Sequence, residues 1–111
     1  MSNDMNNNST LAIYVSLVEV TPLDGCQLSP DKYGGATVRC YVAARTQEIA
    51  MERIAEVLWD NLFHLVNVEW CVDEASVEWE SPNDAKAVTL TSEARTSKNV
   101  VFGEFHTWPP E

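Results

Sequence analysis

Residues 36–65 read ATVRCYVAARTQEIAMERIAEVLWDNLFHL, and within this stretch the hydrophobic period changes from that of a strand to that of a helix. From Ala36 to Ala44, Val38, Cys40 and Val42 alternate with Arg39, Tyr41 and Ala43, the pattern of an antiparallel strand with one buried face. Thr46 then offers a hydroxyl to the first turn of a helix, and Glu48 suits the positive end of its dipole. The spacing predicts a helix from Thr46 to about Leu65. Met51, Ile54, Leu58, Leu62 and Leu65 fall within a sector of about 80°, a stripe that must pack on a sheet. A strand running straight into an amphipathic helix makes the chain α+β.

Upstream, Leu11 to Val20 is apolar on both faces, so it reads as a central strand. Thr21 to Gly35 holds Pro22, Gly25, Pro30 and the pair Gly34-Gly35, and reads as a long loop. Downstream, Val66, Val68, Trp70 and Val72 alternate with Asn67, Glu69, Cys71 and Asp73. The phase slips at Asp73-Glu74, after which Ala75, Val77 and Trp79 are the apolar set. A long strand bulged at Asp73-Glu74 accounts for the slip, and a hairpin of two short strands is the alternative. Ser81-Pro82-Asn83-Asp84 is a helix entrance leading to a weaker helix that ends near Arg95, with Ala87, Leu90 and Ala94 as its small apolar face. Asn99 to Thr107 is a last strand, with a bulge at Gly103.

The order β-β-α-β-α-β gives an antiparallel or mixed sheet of about four or five strands, with one long and one weaker helix packed on one face. In element order alone this resembles ferredoxin-like sandwiches, and the resemblance carries no functional residues. Residues 1–10 are polar and rich in Asn, and read as a disordered tail. Residues 11–111 form a single α+β domain, long enough to bury about two thirds of its unfolded surface. No apolar run approaches the ~20 residues of a membrane helix, and the start lacks the features of a secretion signal. Cys26, Cys40 and Cys71 form no CxxC pair. They read as three reduced thiols in a cytoplasmic protein, with Cys40 facing the core.

Charge carries the functional information. The net charge is -10 on 111 residues, and Ile54 to Ala85 holds eight carboxylates with no lysine or arginine. Such a field opposes direct binding to nucleic acid or to an anionic membrane and favours a basic partner. Glu48, Glu52, Glu56 and Asp60 recur every four residues on the polar side of the predicted helix, about 6 Å apart in rise. As like charges they remove about 1 kcal/mol from helix stability, with Arg53 the nearest basic relief. Trp59 and Phe63 fall in the same sector as candidate anchors. The outward carboxylates Glu69, Asp73, Glu78 and Glu80 make a second acidic stripe. An aromatic anchor with a charged rim is an arrangement usual at protein interfaces.

No catalytic motif is present: there is no GxSxG elbow, no HExxH and no glycine-rich phosphate loop. No cofactor or metal is indicated, because Cys71, His64, His106 and Glu69 lack local ligand spacing. The leading expectation is a small acidic binding or inhibitory protein presenting these carboxylates to a basic partner. Immunity proteins and phage-encoded inhibitors that block nucleases fit that description. Two further readings are a housekeeping homodimer joined through a sheet face around Tyr14, Val18 and Tyr41, and a small motif-less enzyme using His64, Cys71 or His106.

Overall fold

β1 (Ala12–Pro22) pairs antiparallel with β2 (Gly35–Ala44) on one side and with β3 (Phe63–Asp73) on the other, while β4 (Val101–Trp108) pairs antiparallel with β2. The sheet order is therefore β3-β1-β2-β4. Between β2 and β3 lies helix α1 (Gln47–Asp60); between β3 and β4 lie a 3-10 turn (Glu74–Ser76) and helix α2 (Asp84–Ser97). This computed structural model describes residues 11–76 and 84–110. The tail at 1–10, the apolar pair Val77 and Trp79, the acidic pair Glu78 and Glu80, and the helix entrance at Ser81 lie outside the described residues. The chain is α+β, with a four-stranded antiparallel sheet and two helices.

Alternation along β1 and β2 divides the core. Val18, Val20, Val38, Cys40 and Val42 pack against Ala50, Ile54 and Leu58 of α1, with Cys26 and Leu28 of the loop closing one side. Ile13, Val15, Tyr41 and Ala43 project the other way and pack against Ala94 and Leu90 of α2. The helices thus cover opposite faces, not one face as the sequence suggested, because both sides of β1 and β2 are apolar and each needs a cover. Val18 and Tyr41 are fully buried under different helices, and Tyr14 packs into the α1 core. The sheet-face contact around those three residues is therefore occupied within the chain.

Two local expectations are corrected by backbone chemistry, and a third holds. The first helix stops at Asp60 instead of reaching Leu65. The Asn61 amide N–H donates to the Val57 and Leu58 carbonyls, its side-chain Nδ2 donates to Val57 at 2.8 Å, and Leu62 takes φ 64. A left-handed residue after the cap turns the chain out of the helix. Next, the irregularities of β3 lie at Val66 and Glu69, where the register with β1 skips, and the strand ends at Asp73 in the 3-10 turn. The Asp73 carboxylate accepts from the Ala75 amide and helps stop the strand. Two bulges switch the phase, so Val68 and Leu65 lie opposite Val18 and Val20 on the α1 side, while Trp70 and Val72 lie opposite Leu17 and Val15 on the α2 side. The apparent single alternation from Val66 to Val72 does not hold. In β4, finally, a register skip between Phe102 and Phe105 includes Gly103, as expected, and sets both Phe rings on the α1 side, 5.9 Å apart.

Phe63 and Phe105 belong to the two outermost strands, yet their rings stack at 5.4 Å. Outer strands of a flat four-stranded sheet stand about 14 Å apart, so the sheet curls toward α1 at this end. At the same end the Trp108 indole lies on Gly35, where a Cβ would approach a ring carbon to 2.5 Å, and the Gly34 amide donates to the Trp108 carbonyl at 2.8 Å. Gly35→Ala is expected to lower stability by about 1–3 kcal/mol in urea unfolding, since the ring cannot move aside without losing its seat. On the opposite face the Thr91 hydroxyl is buried without a partner. Thr91→Val removes an unsatisfied group at little change in shape and is expected to raise stability by about 1 kcal/mol in the same measurement.

Candidate functional site

The outer face of α1 is built by its own cap and stripe. Thr46 Oγ1 accepts from the Ile49 amide at 3.1 Å and fixes the first turn. Ala50, Ile54 and Leu58 are buried on the sheet, which leaves Glu48, Glu52, Glu56 and Asp60 exposed along the opposite side. Among the described residues none of the four carboxylates makes an ion pair or hydrogen bond. Arg53, the one base on the helix, does not relieve them. Its guanidinium reaches the Ala43 carbonyl at 3.0 Å and the Lys98 carbonyl at 2.6 Å, tying the ends of β2 and α2 together. Among the described residues no counter-charge meets the row, in a chain whose net charge is -10.

Trp59 lies in this row and is 65% exposed. Phe63, expected beside it, is buried at 7%, because the helix ends before it and its ring joins Phe105 in the core. The anchor pair is reduced to Trp59 alone. Glu69 is exposed at a bulge of β3 and accepts from Asn67 Nδ2 at 2.9 Å, while Asp73 is engaged at the end of β3. Glu78 and Glu80 lie outside the described residues. Sequence reading missed Leu62, Val66 and Val68, all exposed. The usable signal was Asn61, a residue suited to ending a helix, which would have placed everything after it in a strand.

The residues weighed for catalysis are not gathered. His64 lies on β3 and His106 on β4, at opposite edges of the sheet. Cys71 belongs to the α1 face, where it and Cys40 flank Ser16 from the two neighbouring strands. Ser16 Oγ donates to the Trp70 carbonyl at 3.0 Å, and Gln47 Nε2 donates to the Cys71 carbonyl at 2.6 Å, so the row anchors the start of α1 to β3. Among the described residues no three His, Cys, Asp or Glu side chains group as a metal requires, and no helix is long and apolar enough to cross a membrane. All three cysteines are free thiols. Comparison with known protein families, with curated proteins and with solved structures finds no match.

Burial pushes the Cys40 thiol up to about 12, with a smaller contribution from Cys71 beside it; burial also raises Cys71, opposed by hydrogen bonds from Gln47 and Ser16. Raised folded-state values mean that the unfolded chain loses these protons first as pH climbs above about 9, so stability falls from there toward pH 12. For Cys40 the loss amounts to about 4 kcal/mol at the upper end. Urea unfolding between pH 8 and 11 is expected to show this decline, and Cys40→Ala is expected to flatten it while lowering stability at pH 8. An equal slope in both proteins would rule out Cys40 as its source.

Proposed function

We propose that this chain is a binding protein of inhibitory kind that presents the carboxylate face of α1 to a basic partner. The observation that carries the reading is the row Glu48, Glu52, Glu56 and Asp60, unpaired among the described residues and set around an exposed Trp59. An acidic row left without counter-charges attracts a positively charged surface over a distance of about a Debye length, roughly 8 Å at physiological salt. A nuclease or other nucleic-acid enzyme fits best as partner, because its groove is lined with bases to hold phosphates. Carboxylates spaced at about 6 Å rise along a rigid helix can occupy such a groove in place of a phosphate backbone. Association is then fast at low salt and slowed as salt is added.

Immobilised protein is expected to retain a protein of high isoelectric point from extracts of the cells that produce it, and to release it as salt is raised. The variant Glu52→Lys, Glu56→Lys, Asp60→Lys is expected to keep its circular dichroism spectrum, because all three side chains are exposed. Its association rate for the retained protein should fall at least tenfold. Equal retention by the folded variant, or retention insensitive to salt, overturns the reading.

A further inference from the structure

The ten residues Trp59–Val68 carry four of the eight large apolar side chains that stand exposed among the described residues: Trp59, Leu62, Val66 and Val68. They run from the last turn of α1, through the cap, into the first half of an edge strand, and so share one corner of the fold. Their positions follow from the backbone. Leu62 is turned out at φ 64, with its carbonyl taken by the Leu23 amide at 2.8 Å, and Val66 is the extra residue of a bulge, 48% exposed. One exposed apolar side chain needs no cause, but four within ten residues are a local concentration of exposed apolar surface, and such surface marks contact sites. The exposed carboxylates Glu56 and Asp60 precede the patch and Glu69 follows it.

Charge and backbone geometry decide the occupant. A second copy would bring its own acidic rim and a net charge of -10 against the same charge, which opposes self-association. An added strand would need a regular ladder along the outer edge of β3, and the bulges at Val66 and Glu69 interrupt that edge. A folded surface with an apolar centre and a basic rim meets neither obstacle. We propose that the Trp59–Val68 corner is the centre of the interface with the basic partner. Apolar side chains of a folded partner seat on Trp59, Leu62, Val66 and Val68, while its Lys and Arg groups meet Glu56, Asp60 and Glu69. The proposal rests on the basic-partner reading and adds where the contact centres and how the two proteins touch. The apolar centre then governs how long the complex lasts, and the carboxylates govern how fast it forms.

The test places a photo-activated cross-linking residue at position 66, at 68, and at 96 on the exposed side of α2 as a control, in otherwise intact protein. The same high-isoelectric-point protein is expected to be linked from 66 and 68 and not from 96. With that protein purified, Val66→Ser with Val68→Ser should raise its dissociation rate at least tenfold and leave the salt dependence of association unchanged. If the serine variant proves unfolded by circular dichroism, Trp59→Ala, which removes a largely exposed ring, is measured in its place and should show the same increase. Linkage from all three positions, linkage to another copy of this chain, or an unchanged dissociation rate overturns the corner as centre. Retention that depends on the α1 carboxylates without linkage at 66 or 68 overturns the corner and leaves the basic-partner reading standing. Failure of the wild-type protein to retain any basic protein overturns that reading and the corner with it.

Discussion

The cap at Asn61, whose side-chain amide lies 2.8 Å from the Val57 carbonyl, decides where α1 ends and so on which side of the molecule Leu62 and Phe63 lie. Had the helix continued to Leu65, Phe63 would sit beside Trp59 on the acidic face. With the cap in place the chain reverses through a left-handed Leu62 and enters β3 at Phe63, whose ring then reaches Phe105 across the curled end of the sheet. One turn thus supplies the core with its largest bridge between outer strands and leaves Trp59 and Leu62 facing solvent. The loop before β2 is bound to the same turn, because the Leu23 amide takes the Leu62 carbonyl.

The two faces of the sheet are held by different means. On the α1 side, Ile54 and Leu58 are fully buried against valines of β1 and β2, and burial of such side chains is worth about 1.5–3 kcal/mol each. Among the described residues of α2, Ala94 and a half-buried Leu90 meet Ile13, Val15, Tyr41 and Ala43, and the Thr91 hydroxyl is buried without a partner. Polar ties supplement these contacts: Arg53 from α1 holds the Lys98 carbonyl just past the end of α2, and Arg95 meets Glu74 at 3.4 Å with a largely exposed guanidinium. Exposed pairs of that last kind contribute little. The Arg53 contacts matter more because they join α1, β2 and the end of α2 through charge-assisted bonds to two backbone carbonyls.

Much of this was legible in the residues. Apolar residues on both faces of Leu11 to Val20 identified a central strand, Thr46 identified the helix start, and Gly103 identified the irregular point of β4; Ala36 to Ala44 was rightly an antiparallel partner, but both of its faces are buried and not the one expected. What misled was periodicity that fits two structures at once. Leu62 and Leu65 continue a helical stripe, but Phe63, Leu65 and the residues after them also satisfy a strand, and only the cap at Asn61 breaks the tie. The run Val66, Val68, Trp70, Val72 likewise imitates a single face, whereas bulges at Val66 and Glu69 divide it between two. Bulges arise from pairing with β1 and leave little trace in the strand that contains them. For the site, the exposed carboxylates of α1 were readable from four-residue spacing, while the apolar corner was not, since its exposure depends on those same bulges and on the turn.

The direction of Arg53 leaves the acidic row without its nearest base. A guanidinium on the same helix as four carboxylates has an obvious use as their counter-charge, yet here it donates to carbonyls at the end of β2 and just past the end of α2. The row therefore keeps its mutual repulsion, about 1 kcal/mol of a stability that for a domain of this size is about 5–15 kcal/mol. A single lysine in place of any one of these residues would lower that cost without disturbing a buried contact, because all four side chains are exposed. On the proposed reading this repulsion has a use, since charge cancelled within the chain would no longer be available to attract a positively charged counterpart.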